Sequence, residues 1–416
     1  MSTLLQSLAS GFEGDAARRS ALDAALGDGL PGPRSEAWKY TPLRALERRE
    51  FAPSRDVVEV DPSLLAGIAA PRMVFVNGRL SESLSDRTGL DEAIEVLTDA
   101  PTSSDDTRYA DRDAVFARLV TSLAKQGVQV RVPAGVRVAQ PLQLVFVGAP
   151  QDGAELAWHL RHRIDVGEGA RLAVAEHHIA AGAHRHLDNA LMEISLGANA
   201  ELEHARVQSG ADGATAFLRT EAELAESSHY RRVDVELGGA LSRHELNVRL
   251  TGEEARLDAN GVLLAAGRRH LDTRLAIDHV AGNTSCGLLW RGIGTGRGRV
   301  VFHGGITIEA GADGTDARLS NKNLLLSPDA EIDTLPVLVI HADEVEAAHG
   351  ATVGQLDESS LFYMRSRGLS EREARVLLTQ AFTREPLSAV QDPALREAMD
   401  ARLIATLETV SGVTGG

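Results

Sequence analysis

The sequence predicts a mainly β fold, a β-solenoid over residues 128–354, followed by a helical region. Three observations carry this prediction. Short period-two runs of apolar and polar residues follow one another from Val128 onward. The turns between these runs share a pattern. A sustained amphipathic helical pattern returns only after residue 354. A β-sandwich would also give many short strands, although 128–354 is long for one.

The alternation is plain in Val128-Gln129-Val130-Arg131-Val132 and in Leu142-Gln143-Leu144-Val145-Phe146-Val147. It recurs in Arg171-Leu172-Ala173-Val174-Ala175, Arg232-Val233-Asp234-Val235-Glu236-Leu237 and Arg299-Val300-Val301-Phe302. On a strand, such runs send apolar side chains to one face. Among the turns, Gly167-Glu168-Gly169-Ala170-Arg171-Leu172 matches Gly197-Ala198-Asn199-Ala200-Glu201-Leu202 and Gly252-Glu253-Glu254-Ala255-Arg256-Leu257. Ser327-Pro328-Asp329-Ala330-Glu331-Ile332 is a variant. Similar turns at irregular intervals suit coils that bury a core only by stacking.

Residues 1–127 read as a mixed, mostly helical region. Pro31-Gly32-Pro33 and Pro53 punctuate it, and Pro101 to Asp106 reads as a polar loop. From Asp111 the pattern turns helical, with Val115, Leu119, Val120 and Leu123 on one face and Gly127 as the expected stop. Residues 355–416 form the C-terminal helical region. Ser370-Glu371-Arg372-Glu373 is a capping-box pattern, followed by an apolar face of Ala374, Leu377, Leu378, Ala381 and Phe382. Asp392-Pro393 is an N-cap with proline at the first helical position, and Leu395, Met399, Leu403 and Leu407 line the last helix. Two helices at the end of a solenoid can cap it or dock a partner, and spacing leaves both open.

Charge and composition narrow the function. With 43 basic and 59 acidic side chains the formal charge is −16, which disfavours nucleic acid and anionic membranes as partners. One cysteine, Cys286, excludes an internal disulfide framework and CxxC metal sites. No signal-peptide pattern and no membrane-length apolar run is present, so a cytoplasmic protein is expected.

Seven of the 14 histidines lie between His159 and His204. His184 and His186 are two apart, so on a strand they would share a face and are the candidate metal ligands, though no carboxylate or cysteine completes a set. Gly292-Ile293-Gly294-Thr295-Gly296-Arg297-Gly298-Arg299 lacks a P-loop ending and reads as a tight turn between strands. Cys286 reads as buried packing. No GxSxG or HExxH motif occurs. The run Asn321 to Gly368 differs from the rest in its dense polar residues, among them Asn321, Asn323, Asp333, His341, Asp343, Glu344, His349 and Asp357. These are either a ladder of satisfied polar groups or a site. Gly350 beside His349 permits close backbone approach, which makes His349 the stronger candidate for a ligand or interface role.

This segment resembles the SufB/SufD family of iron–sulfur cluster assembly proteins. The resemblance rests on Asn323-Leu324-Leu325-Leu326-Ser327, Asp333-Thr334 with Pro336, Ala342-Asp343-Glu344-Val345 and His349-Gly350-Ala351-Thr352-Val353-Gly354. Leu361-Phe362-Tyr363 with Arg365-Ser366-Arg367-Gly368 completes it, and Phe302-His303-Gly304-Gly305 and Glu36-Ala37-Trp38-Lys39-Tyr40-Thr41 also fit. Length and the Trp38 segment point away from SufB-like chains, which are longer and richer in cysteine.

The resemblance implies a right-handed parallel β-helix with N-terminal and C-terminal helical regions. It implies a scaffold of the SUF assembly complex rather than an enzyme. That scaffold would pair with a SufB-like subunit through the β-helix and bind a SufC-like ABC ATPase through the C-terminal helices. It implies no cofactor on this chain alone and a transient iron–sulfur cluster at the complex interface. Where the family commonly carries a cysteine this chain has Ala347 and Ala348, so His349 is its candidate interface residue. The implied dock comprises Leu361, Phe362, Tyr363, Arg365, Arg367, Leu377, Leu378 and Phe382. The competing readings are a polysaccharide-active enzyme on a parallel β-helix and a histidine-based metal-binding module.

Overall fold

A computed structural model describes residues 2–32, 34–101, 109, 112–151 and 153–411. Pro33, the loop residues 102–106 and Asp111 lie outside the described residues. The chain from Gln126–Val132 to Glu346–Gly354 runs as strands that alternate between two ten-stranded sheets. Each strand pairs in parallel with the strand one coil away, as Arg171 pairs with Glu201 and Ser285 with Asp316. The parallel β-helix is therefore present, with helices at both ends of the chain.

Alternation does the work the sequence assigns to it. Leu172, Val174, Leu202, Leu257, Leu288 and Trp290 point inward and stack into one core along the solenoid. Each fully buried leucine there contributes about 1.5–3 kcal/mol. The repeated turn explains itself as a corner. Its third residue adopts positive φ at Gly169 (63°), Asn199 (57°), Ser227 (53°), Glu254 (59°) and Asn283 (57°). That conformation turns the backbone amide toward the next coil, so Gly169 N bonds Ala198 O, Asn199 N bonds Glu226 O and Ser227 N bonds Glu253 O. The following residue points inward and is buried, as at Ala170, Ala200, Ser228 and Ala255. Ser327 belongs to the opposite column of corners, where its hydroxyl accepts from Gly296 N at 2.9 Å. Thr295–Gly298 is the tight turn expected between strands 285–294 and 299–308.

Among the described residues, the α-helices α1 (Thr3–Ala9), α2 (Ala16–Asp28) and α3 (Val115–Leu123) belong to the N-terminal part. Helix α3 ends at Leu123, short of the expected stop at Gly127. Gly127 lies instead in strand Gln126–Val132, where a Cβ would come within 1.5 Å of the Arg161 carbonyl oxygen. Close approach of two strands, not a helix end, requires glycine there. The N-terminal helices pack on the outer face of the first sheet, with Trp38, Phe116 and Phe217 in one cluster. Phe116 stacks on Phe217 at 3.6 Å, and the Arg243 guanidinium lies 3.8 Å over the Trp38 ring.

The C-terminal part holds α4 (Glu358–Ser366), α5 (Glu371–Leu387) and α6 (Pro393–Ser411). The capping box at Ser370 and Glu373 forms as expected, and Asp392 caps α6 by accepting from Leu395 N at 2.8 Å. Leu395, Met399, Leu403 and Leu407 are buried against Val207, Val233, Val235 and Leu264 on the outer face of the second sheet. The helices therefore lie along the flank of the solenoid and do not cap it.

Candidate functional site

The last coil is the candidate site. Strands Glu331–Ile340 and Glu346–Gly354 end the two sheets, and among the described residues no strand pairs with their outer edges. His349 is in register with Leu319, and Ala347 with Ala317, both of them buried core positions. The inward-facing row of the last coil thus contains Ala347, His349, Ala351 and Val353, without a further coil to cover it. His349 is exposed, as are Val339, Ile340 and Val353. An added Cβ at Gly350 meets nothing within 4 Å, so the close backbone approach anticipated there is not made by this chain.

Much of the polar density in this segment is internal bonding. Asp333 accepts from Arg299 at 2.7 Å, and Asn321 accepts from Thr334 at 2.7 Å and from Asn323 at 2.6 Å. Asp357 caps α4. His341 and His349 remain exposed.

The C-terminal residues divide into two groups. Phe362, Tyr363, Arg365, Arg367 and Leu377 are exposed, with Phe362 at 74 %. Arg367 stacks 5.2 Å over the Tyr363 ring. Leu361 is buried, Leu378 is half-buried, and Phe382 packs on the sheet cluster with Arg291 over its ring at 5.5 Å. The apolar face expected of α5 is not the face that it buries. Ala374 is buried, but its companions inside are Thr379, Gln380 and Thr383, while Leu377 and Ala381 face out. The helix rotates so that polar residues able to bond within the helix, such as Thr379 to Arg375 O and Thr383 to Gln380 O, take the inner side.

His184 and His186 lie before strand 187–196 rather than in a strand, with their rings stacked at 4.5 Å. His186 Nδ1 accepts from Leu156 N and its Nε2 bonds Ala149 O at 2.8 Å. Both ring nitrogens are committed to backbone, which leaves no lone pair for a metal. Among the described residues no three His, Cys, Asp or Glu side chains group as a metal site. Cys286 is buried beside His279, and burial pushes its thiol up to about 12.

The sequence reading missed a charged interior. Glu176, His178, His204, Arg206, Arg232, Asp234 and Glu236 are all buried inside the solenoid. His204 Nε2 bonds Glu176 at 2.7 Å, and Arg232 donates to Asp234 at 2.9 Å. Burial would raise the Glu176 carboxyl, yet bonds with His178 and His204 hold it well below the usual range. Burial opposes charge on His178 too, but Asp188 and Glu176 push it up to about 9. The available signal was the polar residue at every second position of Tyr230-Arg231-Arg232-Val233-Asp234-Val235-Glu236, whose inward face is the charged one.

The chain is a parallel β-solenoid whose last coil is uncovered among the described residues, with helices along its flank. A family model described as "SUF system FeS cluster assembly, SufBD core domain" matches residues 149–382. The chain belongs to the SufB/SufD family, and its role lies in SUF iron–sulfur cluster assembly. It is 34 % identical over 94 % of both chains to "Iron-sulfur cluster assembly protein SufD" of Escherichia coli. It is 30 % identical to a Synechocystis "Iron-sulfur cluster assembly SufBD family protein", covering 93 % of this chain and 90 % of that one. A Mycobacterium leprae protein of the same description is also 30 % identical, over 91 % and 90 %. No helix among the described residues is long and apolar enough to cross a membrane.

Proposed function

We propose that this chain is a non-enzymatic scaffold subunit of the SUF complex, pairing with a SufB-like subunit through the open end of its β-helix. The observation that supports this reading is the last coil, with two strand edges that no strand among the described residues pairs and with exposed Val339, Ile340 and Val353. Such edges invite strand addition by a second chain. The nascent cluster is the cargo of that pair. Alanine at 347 and 348 cannot ligate iron, and buried Cys286 is remote from solvent, so thiolate ligands come from the partner. This chain contributes His349 at the same edge, where open space beside Gly350 leaves room for a partner backbone.

The SufC-like ATPase docks on the exposed part of the C-terminal helices, namely Phe362, Tyr363, Arg365, Arg367 and Leu377. Leu361 and Phe382 serve the internal packing of that dock. The test is co-purification of the tagged full chain with SufB and SufC subunits. A stable three-component complex supports the reading, and a folded chain that captures neither overturns it. Phe362→Asp with Leu377→Asp is expected to lose SufC and keep SufB. Retention of SufC by that folded variant would refute the dock.

A further inference from the structure

The chain carries a net charge of −16, yet one cavity has a cationic lining. It lies between α1, the loop after it and the first coils, has a volume of about 300 Å³, and holds Arg55, Arg79 and Lys125 against one acid, Glu13. That size is at the lower end of small-molecule sites. Lys125 hydrogen-bonds Glu13, and Lys125 first, then Arg55 and Arg79, hold the Glu13 carboxyl below its usual range. The three cations thus line the cavity that holds this carboxylate, Lys125 bonded to it and Arg79 donating to the Ser54 carbonyl at 2.7 Å.

Neutral donors join them. Ser54 lines the cavity at 7 % exposure, and its hydroxyl has no hydrogen-bond partner. Leaving a buried hydroxyl unpaired is costly, and a ligand oxygen would relieve it. His159 also lines the cavity, and its tautomer is fixed. Asn189 Nδ2 donates to the Phe116 carbonyl, which sets the amide orientation, and the same nitrogen donates to His159 Nδ1. The ring proton is therefore on Nε2. Trp158 supplies an apolar wall. Convergent cations with hydroxyl and imidazole donors suit a phosphate, whose oxygens accept several charge-assisted bonds at once.

We propose that this cavity binds a small phosphate monoester, its phosphate on Arg55, Arg79 and Lys125 in place of Glu13, with Ser54 as a neutral donor and its organic part against Trp158. The site lies at the other end of the solenoid from the open coil and does not rest on the pairing proposed there. Calorimetric titration of the full chain with phenyl phosphate, inorganic phosphate and phenol tests it. Saturable binding of phenyl phosphate is expected, with inorganic phosphate weaker and phenol silent. Lys125→Glu and Arg55→Glu change exposed side chains and should weaken phenyl phosphate binding about tenfold or more, and Ser54→Ala about fivefold, each with an unchanged thermal midpoint. No saturable phenyl phosphate binding, or affinity unchanged in Lys125→Glu, would overturn the site. Phenol binding as well as phenyl phosphate would overturn its anion selectivity, and inorganic phosphate binding equally well would overturn its organic wall.

Discussion

At its N-terminal end the solenoid core is closed by Met73 and Phe75 from strand Arg72–Val76, by Val96 from strand Glu95–Asp99 and by Ile94 just before it, all buried. Strand 95–99 runs antiparallel to 126–132, and 79–80 folds back antiparallel on 72–76, so the sheets there end in short reversed pieces. At the C-terminal end Leu338 and Ala347 are only half-buried, Ile340 is 43 % exposed, and among the described residues no strand pairs with the outer edges of strands 331–340 and 346–354. The same core is finished at one end and unfinished at the other. A finished end serves stability, whereas an unfinished one leaves energy to be gained from a second chain.

Substitutions at the two ends should separate these roles. Phe75→Ala removes a fully buried ring that stacks on Phe146 at 5.7 Å, and should cost about 3–5 kcal/mol in denaturant unfolding. Ile340→Ala at the other end should stay within about 0.5 kcal/mol in the isolated chain. Equal losses would erase the distinction between the ends.

The interior between them titrates. His178 is raised from its ordinary value of 6.5 to about 9, so its stabilisation is complete below pH 6.5 and is lost as pH rises through 9. The lost contribution is on the order of 3 kcal/mol. Buried His162 and half-buried His159 and His177 are pushed down to about 4 by desolvation and stay neutral over that window. The thermal midpoint should therefore fall between pH 6.5 and 9, and His178→Gln should flatten that fall. An unchanged slope in the variant would show that the group is not held as described.

Charge at the open end bears on pairing alone. Val339→Glu with Ile340→Glu should weaken association with a SufB subunit about hundredfold, read by surface-immobilised binding, and leave the thermal midpoint in place. The smallest effect is expected of His349→Ala. Stability should not change and pairing should weaken less than about tenfold, while cluster formation by the assembled complex falls. Loss of folding in that variant would contradict the exposure of the ring.

How legible all this was in the sequence depends on the distance over which each feature is determined. The corner motif, the capping box at Ser370 and the face of α6 are local patterns, and each is where the residues put it, whereas alternation marks two faces of a strand without telling which turns inward, so Val233 and Val235 meet the C-terminal helices while Arg232 and Asp234 face the interior. The two orders of corner, with Ser327 on the opposite column, require knowing which sheet each strand enters. Gly127 read as a helix stop because its need for close approach comes from Arg161, a coil away. The outward turn of Leu377 depends on which residues of α5 meet the sheet. The open end was invisible because no local pattern records the lack of a neighbour, while His349 stands out in the sequence by the glycine beside it and by its family motif.

The register of about one coil per step also orders the events of synthesis. Each coil can pair only with the coil made just before it, so folding can advance behind the emerging chain from the closed end, which leaves the ribosome first. Helix α6, made last, returns to seat on strands 201–209 and 229–236, made long before. The coil bearing His349 is the last to be laid down, so its free edges come into being only when the rest of the solenoid is already able to present them to a partner.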